Sequence, residues 1–484
     1  MLGFQLGAGS IGSTRWRRLG YQASRGRLRE RGRLKVWTAS SAGADGFGQS
    51  VSSISDGFGV GTGRGPSGVQ SAVRQASMGL PDGLAPQIAV LVISAKLGNS
   101  FERMLRDLKK YFALQRWNDV QVIGGSASDV FLEEEGDVKL MLLGVGETRF
   151  TTFTVDSCTS LDLDLRQEGI REKILGTRSG QFEDPIFMLF KTPEFVNAEK
   201  VISMLDFAFP NSAKFGVHAG NIPLRREAVF HNEEVIEDGM CGIVMEGKIA
   251  VDLIVSQGAR SVGTVLRVDE VEDGTTITKV KEMGTSMESQ GAPMTLFDMW
   301  QYTDVISGRD QGLAEKCTMI GLGIDKFEEG EEPEYLVRRI IGIDNTNKAL
   351  AIDGKVRQGQ IIQFQVRDGQ SALVELESLL KKVAVFKIEK SVEAKFPIAL
   401  LLFSDTERDV DTRKALATEI ALVKETLKIS VPVFEVISDG QIGPLPAPGF
   451  VNYYPIKGVG VCGSTFEHST TSVFAILYGS SPRG

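Results

Sequence analysis

Cysteine is scarce in this chain of 484 residues. Cys158, Cys241, Cys317 and Cys462 are far apart, with no C-x-x-C pair among them. That spacing supplies neither a disulfide framework nor a structural zinc site, and it fits a reducing compartment. Histidine is scarcer still, with only His218, His231 and His468. Their separation excludes H-E-x-x-H, and nothing in it supports a three-ligand zinc site. No uncharged apolar run nears the ~20 residues of a membrane helix. The strongest, Pro397 to Phe403, has strand length, so no spanning segment is expected. A net charge of −8 gives no support to a general nucleic-acid surface. A phosphate loop and a Rossmann fingerprint are both missing, since Gly124-Gly125 and Gly144-Val145-Gly146 are isolated pairs. No nucleophile–base pair is apparent, so an enzymatic reading has little support and no cofactor is expected.

Acidic residues are absent before Glu30, whereas residues 1–35 hold nine basic side chains from Arg15 to Lys35. This composition suits an organelle transit peptide, with the chloroplast stroma as the expected location and the mitochondrion as the alternative. Ala39-Ser40-Ser41-Ala42-Gly43 is placed to follow a cleavage site. A disordered basic tail is the other reading. Gly43 to Gly83 is low in complexity and reads as linker, which puts residues 1–84 outside the globular fold.

The remainder repeats a pattern of strand, helix, strand, glycine turn and returning strand. Ile88 to Ile93 is a strand, Phe101 to Phe112 has helical spacing, Val120 to Ile123 is a strand and Val138 to Leu143 reads back. The order recurs in Pro185 to Phe190, Asn197 to Phe207, Ala213 to Val217 and Met240 to Met245, with Ile249 to Val255 as a hairpin partner. It recurs again in Pro397 to Phe403, Thr412 to Leu427, Val433 to Ile437 and Ser472 to Tyr478. Between the second and third units, Thr318 to Arg367 is rich in strands.

Polar and glycine residues after the apolar strands are the candidate ligand-binding set, because strand ends are common ligand sites in α/β proteins. Ser404, Asp405 and Arg408 follow one strand, and Arg408 suits bidentate grip of a carboxylate. Asp439, Gln441 and His468 belong to the next connection, with Gly125, Ser126, Gly220 and Asn221 at corresponding turns of the first two units. The structural alternatives are a helix N-terminus for Asp405 or Asp411 and an Asp-Gly turn for Asp439. Arg260 and the Arg367-Asp368 pair read as fold supports, and Arg338-Arg339 as straddling a strand.

Several segments resemble the paired FIST domains found in bacteria, cyanobacteria, plants and animals. The first half carries VQVIGGSASDVF, DPIFMLFKTP, LDFAFPNSAKFGVHAG and GIVMEGKIAVDLIVSQGARSVG. The second carries YLVRRIIGIDNTNKALAIDGKVRQGQIIQFQVRDG, PIALLLFSDTERD, SDGQIGP and TFEHSTTSVFAIL. The resemblance spans residues 85–479 and suggests a plant, algal or cyanobacterial-like member. It implies a mixed α/β (α+β) fold of two related lobes built from strand–helix–strand units, with largely antiparallel or mixed sheets. The expected domains are an N-terminal one over 85–310 and a C-terminal one over 311–484. The implied role is sensory, with a small-molecule ligand, such as an amino acid or small carboxylate, signalling to a protein partner. A scaffold without a small ligand and a haem-based gas sensor are the alternatives; an F-box role is not supported. Asp405 stands where the family often has cysteine and Gln441 where it often has glutamate, which points to recognition and away from a shared reaction.

Overall fold

The computed structural model describes residues 35–37, 56–128, 136–157, 184–220, 225–283, 290–301, 306–324, 335–367, 369–389, 396–406, 412–445, 452–454 and 464–479. Three units share one strand order. In the first, β3 (Ile88–Ser94) lies between β4 (Gln121–Ala127), which is parallel, and β5 (Val138–Gly144), which is antiparallel. Beyond β5 lies β2 (Gly57–Gly63), and β9 (Val229–His231) and β10 (Glu234–Ile236) extend the other edge. In the second, β7 (Ile186–Lys191) lies between parallel β8 (Lys214–His218) and antiparallel β11 (Gly239–Gly247), followed by β6 (Thr148–Asp156) and β1 (Lys35–Trp37). In the third, β20 (Phe396–Ser404) lies between parallel β21 (Val433–Ile437) and antiparallel β25 (Ser472–Gly479), followed by β12 (Ala250–Ser256) and β23 (Asn452–Tyr454).

Strand periodicity explains how these sheets pack. Successive side chains alternate faces, so a fully buried strand must be covered on both. Ile88, Val90 and Val92 of β3 join the inner faces of all three sheets in one core, together with Met188, Phe190, Leu401 and Val473. Phe403 meets Phe190 and Phe215 there, with ring centroids 6.4 and 6.0 Å apart. The outer faces carry helices. Ala89, Leu91 and Ile93 face α1 (Gly68–Ser77) and α2 (Phe101–Leu114). In the second unit the cover is α3 (Ala198–Ala208). In the third it is α6 (Gly369–Glu389) and α7 (Thr412–Leu427).

A barrel is inserted within the third unit, after β12. Its strands are β13 (Ala259–Glu272), β14 (Thr276–Glu282), β16 (Thr318–Gly323), β17 (Tyr335–Asp344), β18 (Ala349–Ile352) and β19 (Ile361–Arg367). It closes because β13 pairs with both β19 and β14. The short β15 (Gln290–Gly291) borders β14. The helices α4 (Pro293–Gln301) and α5 (Gly308–Cys317) lie between β15 and β16. Phe364 stacks on Phe297 at 4.4 Å and meets Trp300 at 5.9 Å in the barrel core.

The mixed α/β class and the strand–helix–strand units agree with the sequence reading. Three details differ from it. Residues 57–77, read as linker, are β2 and α1. The alternate glycines of β2 let the helix lie directly on the strand: a Cβ on Gly59 would stand 1.8 Å from the Ala76 carbonyl oxygen, and one on Gly61 2.0 Å from that of Ala72. Ile249 to Val255 is a strand but not a hairpin partner of β11, whose edges are taken by β6 and β7; β12 pairs with β25 and β23. The boundary expected at 310/311 falls inside α5, between barrel strands contributed by both halves of the chain. No described helix is long and apolar enough to cross a membrane.

Candidate functional site

The parallel strand pair of each unit ends at the same place in the frame. The closing residues are Ser94 beside Ala127, Lys191 beside His218, and Ser404 beside Ile437. The segments that follow are stitched to one another. Gly220 N donates to Ser126 O at 2.9 Å, Ser128 Oγ to Ile437 O at 2.7 Å, and Ser438 Oγ to His218 O at 2.7 Å. His218 N donates to Gly440 O at 2.9 Å. Small residues are needed here because backbone approaches backbone.

Most of the candidates from the sequence are brought to this end, and most are engaged within the chain. Ser404 Oγ lies 2.7 Å from Ser472 Oγ, which donates to the Glu419 carboxylate at 3.1 Å. Asp405 accepts Thr470 N at 2.9 Å, and Asp439 accepts the Thr406 hydroxyl. Gln441 donates to Ser438 O at 2.7 Å and accepts Thr471 N at 3.3 Å. Gly125 and Ser126 lie within β4 instead of after it, and Ser126 Oγ accepts Ala228 N at 3.1 Å. Buried polar groups must be bonded, and these bond each other. Arg408 and Asn221 lie outside the described residues.

The unmatched groups stand beside this set. After β21, the hairpin strands β22 (Gln441–Pro444) and β24 (Thr465–His468) leave the third unit and extend the sheet of the second, with Gln441 opposite both Val217 and His468. That brings the Glu467 carboxylate to 2.8 Å from Lys191 Nζ and 3.5 Å from His218 Nε2. From the barrel, Arg338 donates through Nη1 to Glu467 O at 2.7 Å. His468 Nε2 lies 3.0 Å from Gly443 O, so that nitrogen carries the proton and Nδ1 is an acceptor. Four buried atoms here have no hydrogen-bond partner among the described residues: His218 Nε2, Arg338 Nε, His468 Nδ1 and Ser469 Oγ.

Electrostatics follows from burial. Desolvation holds His218 well below the usual imidazole range, and the charges of Lys191 and Arg338 press the same way. Burial lowers His468 to about 4, with Arg338 again adding to the effect. Both rings are therefore neutral near pH 7. Desolvation also lowers the Arg338 guanidinium, though it stays charged. Lys191 thus lies against the Glu467 carboxylate, and the Arg338 guanidinium is near the carboxylates of Asp353, Glu467 and Glu199. Gly440 makes room for this. A Cβ there would stand 2.1 Å from His218 Nδ1. Among the described residues no group of three or more His, Cys, Asp or Glu is placed to hold a metal.

Lys191, Arg338, Glu467 and Ser469 were not candidates from the sequence. Lys191 did carry a signal, as the one charge closing the apolar run IFMLF. Arg338 and Arg339 do straddle β17, with Arg339 3.4 Å from Asp353. Arg260 donates to Asp310 at 2.8 Å and to Ser371 at 3.2 Å, joining β13, α5 and α6 as a fold support.

Fold and strand ends define a three-unit α/β protein with an inserted barrel and a polar centre between them. The chain matches the FIST N domain over residues 132–282 and the FIST C domain over 300–444, together more than half its length, and it belongs to the FIST family of sensory, ligand-binding domains. An uncharacterized protein of Mycobacterium tuberculosis (strain H37Rv) is 25% identical over 288 residues, covering 58% of this chain and 70% of that protein. An uncharacterized protein of Mycobacterium bovis is 23% identical over 288 residues, covering 59% and 70%. These relatives are mycobacterial and lend no support to a plant, algal or cyanobacterial origin.

Proposed function

We propose that this chain is a sensory protein that takes a small carboxylate beside Lys191, His218, Arg338 and Glu467 and passes its occupancy to a protein partner. The observation that carries this reading is the pairing of two cations with buried, unmatched nitrogens on His218 and Arg338. A buried guanidinium nitrogen without a partner costs about 1–3 kcal/mol, which an incoming carboxylate would offset. Calorimetric titration of the full chain with acetate tests it. Heat is expected with the wild type and is expected to vanish in Lys191→Met and Arg338→Met. Wild-type binding that survives both substitutions would remove the site from consideration. Bound ligand at a hundred times its Kd should add about 2.7 kcal/mol of stability.

A second reading has its own support on the same barrel strand. Ile341 and Ile343 of β17 are 66% and 46% exposed, an apolar pair suited to a protein partner without any small ligand. Capture of the same partner by wild type and Arg338→Met, but not by Ile341→Asp, would favour this scaffold reading. The basic segment before residue 36 supports an organellar address in chloroplast or mitochondrion. A fluorescent fusion of residues 1–55 that stays cytosolic would count against that address.

A further inference from the structure

We infer that the site takes up a proton together with its anion and that the proton settles on His218, so that the chain detects carboxylate and acidity at once. This rests on the carboxylate reading above. The groups converge on one atom, Glu467 Oε2, with Lys191 Nζ 2.8 Å from it and His218 Nε2 3.5 Å. The first contact is a charge-assisted bond, whereas the second is longer than a well-formed hydrogen bond. His218 Nε2 is therefore buried and unmatched among the described residues. The ring is seated over Gly440, where a Cβ would meet Nδ1 at 2.1 Å, Cε1 at 2.5 Å and Cγ at 2.7 Å. That seat keeps the edge carrying Nε2 towards the carboxylate.

The charges around the ring are matched before any ligand arrives. Lys191 of β7 is spent on Glu467 of β24. On β17, Arg338 lies near the carboxylates of Asp353, Glu467 and Glu199, and Arg339 pairs with Asp353. Asp439, just before β22, accepts the Thr406 hydroxyl, and β22 itself carries no titratable side chain. His468 belongs to the other face of the sheet, where it donates to Gly443 O. A carboxylate entering beside Nε2 thus brings a buried negative charge without a counterion, which the interior penalises. The imidazole answers it by accepting one proton from solvent, and the new Nε2–H donates to the ligand. In the empty site, burial and the charges of Lys191, Arg338 and Arg339 hold the ring neutral. A bound anion offsets those charges, so the ring protonates at higher pH, and by linkage the proton strengthens anion binding by the same factor.

The test is calorimetric titration of the full chain with acetate, between about pH 5.5 and about pH 8, in buffers of different ionisation enthalpy. Uptake of about one proton per acetate is expected near the middle of that range, with affinity rising up to about ten-fold for each unit fall in pH. His218→Gln should abolish the uptake and flatten the affinity, whereas His468→Asn, on the other face, should keep both. Magnetic resonance of labelled imidazoles gives a readout in the wild type. Of its three rings, one should titrate at higher pH when acetate is present, and that ring should persist in His468→Asn. Acetate binding with no proton uptake and no shifted ring would overturn the coupling and leave the carboxylate site standing. Uptake that survives His218→Gln would overturn the assignment to this ring, since a proton carried by acetate or by Glu467 would behave in that way. If acetate binds at no pH in the range, both readings fall.

Discussion

The strand ends of the second and third units occupy the same place in a repeated frame and differ in what they do with it. In the third, Ser404, Asp405 and Gln441 find their partners in Ser472, Thr470, Thr471 and Ser438. In the second, the equivalent positions hold Lys191 and His218, and the imidazole Nε2 is left unmatched. The frame therefore copies geometry without copying chemistry. A polar residue at a strand end is as readily mortar as binding group, and satisfaction of its hydrogen bonds tells the two apart.

The comparison breaks most severely where the third unit is held against the first. Lys139 of β5 and Glu435 of β21 form an ion pair buried between them, with side chains 3% and 1% exposed. Lys139→Met strands the carboxylate and should cost about 3–5 kcal/mol in urea unfolding, with much of that recovered in the double variant with Glu435→Met. Next comes Asp405→Ala, which orphans the Thr470 amide; a loss of about 2–3 kcal/mol is expected. A graded effect of comparable total size comes from pH. His468 is depressed to about 4 in the folded chain against an ordinary value of 6.5. The unfolded state takes up the proton first as pH falls, so stability is full above about 6.5 and declines towards 4, by about 1.4 kcal/mol per pH unit for this ring. His468→Asn should flatten the pH dependence of the urea midpoint by that amount. The smallest change in stability is expected for Lys191→Met, within about 1 kcal/mol, because its partner Glu467 is partly exposed. Its effect belongs to acetate binding. If Lys191→Met destabilises as much as Asp405→Ala, the distinction between the two strand ends fails.

The sequence showed the three units because each central strand is buried on both faces, and a run such as IAVLVI is hard to accommodate anywhere but in a covered sheet. Serines and glycines after the apolar runs marked the strand ends as candidates, without showing which of them meet. It misread β2, since alternating glycine resembles a linker unless the helix that rests on it is already known. Lys191, Arg338 and Glu467 escaped notice for a different reason. They come from three distant parts of the chain, and only the excursion of β22 and β24 into a foreign sheet assembles them. Composition and spacing carry no trace of that exchange, and Asp405 and Gln441 drew attention as polar groups whose partners lie equally far along the chain.

The barrel inserted after β12 also sets a timetable. β12 ends at Ser256, yet its partners β23 and β25 begin only at Asn452 and Ser472. The free edge of β8 likewise waits for Gln441. At roughly 5–20 residues per second, a ribosome would leave these edges open for on the order of ten seconds or more after they emerge. The nascent chain thus carries one unpaired strand and one open strand edge through nearly half of its synthesis, and whatever shields them then is as much a requirement of this architecture as any contact in the finished protein.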